Sequence, residues 1–310
     1  MEVNEVSRNA NGGTELMLRR LHRTLDAGLL ANFQIIPSRI REIDPHRKTV
    51  LWLHDMPDDE TVALRDANYR KQFAKIVMVS DWQMQIFHIY HDLPYSECVV
   101  IRNGIEPLPA LPKPDPNEIV NLIYHTTPQR GLELLVPAFE RVLAKHGRLH
   151  LHVYSSFAAY GRPELDAPYS RVFEHCRQHP NITYHGFQPY DVVRRALQQS
   201  HVFAYPSIWP ETSCLAAIEA MSAGNFVVAP NYGGLLDTCN RWALAYQWTE
   251  NPADHVAVFA DALSEAVVRL RNNPAGCQAH IEAQKAFTNY FYDWKVLAPV
   301  WDRMLRGLLT

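Results

Sequence analysis

The sequence predicts an α/β protein made of two Rossmann-like, doubly wound units, the first unusually short. Three observations lead there. Short apolar runs alternate with amphipathic helical stretches along most of the 310 residues, the pattern of parallel strands joined by crossover helices. Residues 107–116 hold five prolines in ten positions, which suits neither a helix nor an inner strand. The length is enough for two domains of roughly 150 residues each. The chain is thus divided into an N-terminal unit over 1–106, a Pro-rich linker over 107–118, a C-terminal unit over 119–285 and terminal helices over 286–310.

In the first part, Gly13 to Leu25 reads as a helix with Leu16, Leu18, Leu21 and Leu25 on or near one face. Strands are expected at Phe33–Ile36, Val50–Leu53, Ile76–Val79 and Val99–Ile101. Only eleven residues precede the Gly12-Gly13 pair, so a strand ahead of it is very short. In the second part, strands are expected at Ile119–His125, Leu149–Tyr154, Ile182–Phe187, Val202–Pro206, Phe226–Ala229 and Ala243–Trp248. Leu132, Leu135, Phe139, Val142 and Leu143 form a helical stripe, in which Pro137 marks the first turn or a kink. Val192, Val193, Ala196 and Leu197 form a second stripe, and Leu215, Ala217, Ile218 and Met221 a third. The end of the chain reads as helices, with Phe287, Tyr290, Phe291, Tyr292, Trp294 and Trp301 anchoring them.

Composition excludes several classes. With 30 Lys+Arg against 33 Asp+Glu the formal net charge is −3, which argues against broad electrostatic binding to nucleic acid or anionic lipid. No apolar run reaches the roughly 18 residues of a membrane span, so membrane contact is at most peripheral. The start, Met1-Glu-Val-Asn-Glu, is unlike a signal peptide. Five scattered cysteines without a C-x-x-C pair read as reduced thiols in a cytoplasmic protein. Fifteen histidines include neither H-E-x-x-H nor a cysteine-backed pair, and no metal site is expected. Phosphate loops of the P-loop and dinucleotide types are absent, as are Asp-x-Asp and G-x-S-x-G.

The chemistry concentrates in Pro210-Glu211-Thr-Ser-Cys-Leu-Ala-Ala-Ile-Glu219-Ala-Met-Ser-Ala-Gly224, directly after a strand. Thr212 or Ser213 is expected to cap the helix that begins there, and Gly224 to end it. The backbone N–H groups at that start, around Thr212, Ser213 and Cys214, form a site for phosphate at the carboxyl end of the sheet. Glu219, about two turns into the helix, suits the two hydroxyls of a ribose. Glu211, in the loop before it, suits the hydroxyls of a sugar.

From Asn9 onward the sequence resembles the GT-B glycosyltransferases of family 4. The resemblance rests on Gly12-Gly13-Thr-Glu15, His54, Val79-Ser80, Asn103-Gly104, Tyr124-x-x-x-Pro128-x-Arg130-Gly131-Leu132, His185-Gly186-Phe187, the Glu211/Glu219 pair and Tyr232-Gly233-Gly234-Leu235. It implies a GT-B fold and retaining sugar transfer. The donor is a nucleoside diphosphate sugar, UDP- or GDP-linked; no metal or other cofactor is implied. The acceptor is a glycan, a lipid-linked molecule or a small molecule, received by the N-terminal unit, to which the last helix returns. The resemblance also assigns residues. Glu219 matches the position that holds the ribose, Glu211 the one that touches the transferred sugar, and Arg130 a basic residue that neutralises the diphosphate. Gly12 and Gly13 match a glycine loop near diphosphate and sugar. His54 matches a histidine near the donor sugar or the acceptor. Gly186 and Phe187 lie where the base is contacted. Of the family's two basic residues, the first is replaced here by His125 or Thr126. Two other readings stay open: a nucleotide-sugar epimerase on the same fold, and a donor-binding protein with reduced or lost transfer.

Overall fold

The structure, a computed structural model, describes residues 12–40 and 42–310. The short strand expected ahead of Gly12 lies outside the described residues. The chain forms two compact units, one comprising the described residues up to Ile105 together with Phe291–Thr310, the other Glu106–Tyr290.

The first unit begins with helix α1 (Gly13–Thr24) and a short α2 (Ala27–Leu30), followed by strands β1 (Phe33–Pro37) and β2 (Lys48–Leu53). A short α3 (Ala67–Arg70), β3 (Phe73–Met78), α4 (Asp81–His91) and β4 (Cys98–Val100) complete it. The four strands pair in parallel in the order β1-β2-β3-β4, with Ile35 beside Val50 and Leu51 beside Ile76. Ile36, Leu51, Leu53, Ile76, Met78 and Phe87 are buried together, which is why the inner parts of these strands, such as Val50–Leu53, read as apolar runs. Two motifs have local structural work here. Ser80 caps α4, its Oγ accepting from Gln83 N at 3.0 Å. A Cβ on Gly104 would collide with the Trp294 ring, so glycine lets the chain pass close to that side chain. Ile105 N and O bond Tyr292 O and Trp294 N at 2.7 and 2.8 Å, and Trp294 Nε1 donates to Thr24 Oγ1 at 2.7 Å.

The second unit runs β5 (Val120–Tyr124), α5 (Leu132–His146), β6 (Leu149–Val153), α6 (Ser170–Gln178), β7 (Ile182–Tyr184) and α7 (Tyr190–Gln199). It continues with β8 (Val202–Ala204), α8 (Leu215–Ser222), β9 (Phe226–Pro230), α9 (Leu235–Cys239), β10 (Leu244–Tyr246), α10 (Pro252–Asn272) and α11 (Pro274–Phe291). The chain closes with α12 (Trp294–Gly307), in the first unit. The six strands are all parallel, in the order β10-β9-β8-β5-β6-β7. The order reverses between β5 and β8. Loops leaving these two neighbours diverge, which opens a crevice beyond their carboxyl ends.

Residues 107–116 contain no regular element, yet they are held along the second unit. Proline lacks an N–H but keeps its carbonyl, and several of these carbonyls accept hydrogen bonds. Pro109 O accepts from Gln198 Nε2 at 2.7 Å, Pro114 O pairs with His201 Nε2 at 2.9 Å, and Pro116 O accepts from Arg271 Nε at 3.0 Å. Pro137 does not mark the first turn of α5. It is the sixth residue, inside the helix, and the burial of Leu132, Leu135, Phe139 and Val142 on either side of it carries the helix through.

Candidate active site

The two loops that flank the switch point carry the densest polar chemistry. After β8 the chain passes through Tyr205 to Cys214, turned by Ser207 N on Tyr205 O and Glu211 N on Trp209 O, both 2.9 Å. This folds Glu211 back toward the sheet and buries it. After β5, residues 125–131 form a loop with a 3-10 turn at Pro128–Arg130. Arg130 Nη1 donates to Glu211 Oε1, and the buried Tyr205 hydroxyl donates to the same oxygen. Burial opposes the charge on Arg130, but the Glu211 carboxylate outweighs it and the guanidinium pKa rises. The Tyr205 hydroxyl is pushed up by burial and by the Glu211 charge, so it remains a donor.

Glycines make this packing possible. Gly131 has φ +123°, and a Cβ there would run into the Pro206 carbonyl. Across the loop, Cβ atoms on Gly233 and Gly234 would lie 2.8–2.9 Å from backbone atoms of Pro210 and Glu211 and 2.6 Å from Thr212 O. Gly234 N instead donates to Glu211 O at 2.5 Å. The Gly233-Gly234 pair therefore presses the turn after β9 onto the loop that carries Glu211.

Helix α8 starts at Leu215. The expected cap at Thr212 or Ser213 is corrected: the N-cap is Cys214, and it makes no side-chain capping bond. The loop stays non-helical one residue longer than its Thr-Ser pair suggested, because the Gly233-Gly234 turn packs against Glu211 and Thr212. Gly224 ends the helix as expected, at φ +76°. Buried polar atoms gather in the loop after β5, and one of them borders the start of α8. His125 reaches the Ala216 backbone, and burial pushes its imidazole down to about 4, so it is neutral at neutral pH. His125 Nε2, Thr126 Oγ1, Thr127 Oγ1, Gln129 Oε1 and, beyond β6, Ser155 Oγ are buried without a hydrogen-bond partner. Buried polar groups of this kind are normally satisfied, and the four in the loop after β5 suit a polar ligand.

The other site residues fall into separate places. Glu219 lies in the second turn of α8 and is buried. Its Oε1 accepts from the Tyr190 hydroxyl, with Arg194 Nη1 at 3.9 Å. Gly186, with φ +63°, and the exposed Phe187 follow β7. Gly12, Gly13 and His54 belong to the first unit. Gly12 is the extended N-cap of α1 and Gly13 its first residue. His54 follows β2 with its ring 4.6 Å from Trp52, and burial pushes its pKa down to about 3. Tyr205, Tyr190, Arg194 and Trp209, whose ring lies 5.6 Å from the Arg130 guanidinium carbon, were not expected from sequence. A tyrosine ending an apolar strand and an i,i+4 Tyr/Arg pair carry no sign of their partners. Among the described residues no group of three or more His, Cys, Asp or Glu side chains is placed to hold a metal ion. No helix among them is long and apolar enough to cross a membrane.

This architecture is that of the GT-B glycosyltransferases. A Rickettsia africae glycosyltransferase superposes with TM-score 0.69 at 15% identity, covering 95% of this chain and 82% of its own. The α,α-trehalose 6-phosphate synthase of Burkholderia multivorans gives 0.65 at 16%, covering 99% and 82%. Anabaena HepE, solved with UDP and glucose, gives 0.62 at 17%, covering 84% and 72%. Residues 108–285 match the model of the glycosyl transferases group 1, and the chain belongs to that family. A Salmonella typhimurium relative named lipopolysaccharide 1,2-N-acetylglucosaminetransferase is 22% identical over 288 residues, 87% of this chain and 69% of that protein.

Proposed function

We propose that the protein is a retaining, metal-independent glycosyltransferase of family 4 that moves a sugar from a UDP- or GDP-linked donor to a hydroxyl of a glycan, lipid-linked or small-molecule acceptor. The observation that carries this reading is Arg130, held charged beside Glu211 in the switch-point crevice, with the uncapped start of α8 and the unpartnered polar atoms of residues 125–129 around it. The diphosphate lies against Arg130 and the N–H groups that begin α8, where both a fixed charge and the helix dipole favour an anion. His125 is neutral and contributes a hydrogen bond rather than a second positive charge. Glu211 faces the sugar hydroxyls, and Glu219 takes the ribose. Charge accumulates on the diphosphate as the bond from its oxygen to the sugar C1 breaks, and Arg130 stabilises it. The acceptor oxygen bonds C1 from the same face, and its proton passes to the departing phosphate oxygen. No protein nucleophile is assigned.

The names of the relatives favour uridine nucleotides as the first donors to test, since HepE was solved with UDP and glucose and the Salmonella relative is named for N-acetylglucosamine transfer. Calorimetry with UDP- and GDP-sugars on the wild type and on Glu219→Ala tests the donor site. Proton NMR of the first product tests the stereochemistry, expecting the anomeric configuration of the donor. An inverted product overturns the retaining reading. Epimerised free donor, or donor binding with neither transfer nor hydrolysis, selects one of the two alternatives.

A further inference from the structure

We propose that the stacked rings of Tyr232 and Trp248 form a platform for a sugar ring of the acceptor, which narrows the acceptor to a glycan. This rests on the reading of the protein as a sugar transferase. Tyr232 follows β9 and Trp248 follows β10. Their ring centroids lie 4.4 Å apart, with the planes 8° from parallel. Both residues are half-buried. Among the described residues, neither ring belongs to or packs against the apolar core of the second unit, which takes in Trp242 and Tyr246 close by in the chain. Core packing therefore does not account for the pair. Polar bonds from Asn231 hold its two loops together instead. Asn231 N donates to Tyr246 O at 2.8 Å. Its Oδ1 accepts from Trp248 N at 2.7 Å, and its Nδ2 donates to Gln247 Oε1 at 2.9 Å. Gln247 Nε2 in turn donates to Trp248 O at 3.2 Å.

The pair is continuous with the candidate active site. Tyr232 directly precedes Gly233 and Gly234, whose turn presses on the loop of Glu211, with Gly234 N donating to Glu211 O. Strands β8, β9 and β10 are neighbours in the sheet. Neighbouring strands lie about 4.8 Å apart, so the platform stands about 5–10 Å along the sheet from the Glu211 loop. It lies on the side away from β5 and Arg130. One glycan can thus place a hydroxyl at the reacting sugar and another of its rings on the platform. The chemistry fits a pyranose. The C–H groups of its flat face carry partial positive charge and meet the negative face of an aromatic ring. The Asn231 and Gln247 amides each have a second N–H, beyond the bonds above, for hydroxyl oxygens. A lipid chain would gain nothing from those amides, and a phosphate would meet no cation on these four side chains. A surface fixed before binding also costs little ordering entropy.

The test is saturation-transfer NMR on the full chain with methyl glucoside, methyl galactoside, methyl N-acetylglucosaminide, maltose, lactose and chitobiose. The wild type is compared with Trp248→Ala, Tyr232→Ala and Tyr232→Phe, each checked by a thermal melt, and calorimetry of UDP and GDP is run on the same proteins. The expected result is saturation of the C–H protons of at least one saccharide by the wild type. Its affinity should fall at least about 5-fold in Trp248→Ala and Tyr232→Ala and be kept in Tyr232→Phe, which preserves the ring. The same saccharide should shift the Trp248 indole N–H resonance of the wild type, a readout that does not depend on an alanine variant folding. Nucleotide binding with no saturation of any saccharide overturns the platform alone. So does saturation that leaves the Trp248 resonance unmoved or persists at full strength in both alanine variants. Saccharide binding at Trp248 with neither nucleotide bound overturns the donor reading and, with it, the assignment of the ring to an acceptor.

Discussion

Replacing Arg130 by methionine removes the cation that the buried Glu211 carboxylate faces and leaves it the Tyr205 hydroxyl. The side chains of Arg130 and Glu211 are 19% and 9% exposed, so water screens the pair only in part. Breaking a buried pair from one side costs about 3–5 kcal/mol, and the residual exposure of Arg130 places this case near the lower end, at about 3 kcal/mol. For a domain of this size that corresponds to a fall in Tm of roughly 6–12 °C. Glu211→Gln keeps an acceptor for Tyr205 but strands the guanidinium. The double variant removes both charges and is expected to recover much of the loss. Urea titration of all four proteins, followed by circular dichroism, yields the coupling energy of the cycle, expected at about 2–3 kcal/mol. A coupling below about 0.5 kcal/mol, the worth of an exposed ion pair, refutes the argument that the crevice holds a desolvated charge pair.

Gly131→Ala forces a side chain into φ +123° and onto the Pro206 carbonyl, and equilibrium unfolding should show a loss of more than about 2 kcal/mol. On the proposed role of Glu219 as the ribose ligand, Glu219→Ala should weaken nucleotide binding by at least about tenfold in calorimetry, the worth of hydrogen bonds to a charged acceptor. Acid should destabilise the fold through His125, whose pKa falls from 6.5 to about 4 on burial. The unfolded chain takes up this proton below pH 6.5 while the folded chain refuses it until about pH 4. Stability from this residue is thus constant above pH 6.5 and declines between 6.5 and 4, by up to about 3 kcal/mol. His125→Gln should flatten that part of a pH–stability profile, and an unchanged profile would remove His125 as its source.

The strands were legible because each is a short apolar run bounded by turn residues. Val120–Tyr124, for example, differs from its expected span only at the ends. The cap of α8 was misplaced because Thr212 and Ser213 are residue types preferred at an N-cap, whereas the turn at Gly233 and Gly234, distant in sequence, packs against Glu211 and Thr212. Of the two readings of Pro137, a first turn or a kink, the first-turn one fails for a similar reason, since burial on both sides carries the helix past a local breaker. The bond between Tyr190 and Glu219 spans 29 residues and two helices, and neither periodicity nor spacing encodes it.

By itself, then, the sequence determined the parallel α/β class, the alternation of strand and helix, and the residue types able to hold an anion and a sugar. These follow from hydrophobic periodicity and side-chain chemistry, which act locally along the chain. Only the tertiary structure decided the strand order that opens a crevice between β5 and β8, the pairing of Arg130 with Glu211 within it, and the engagement of Glu219 by Tyr190. Those depend on which distant segments are brought side by side, and on the desolvation that such packing imposes on charges that would otherwise face water.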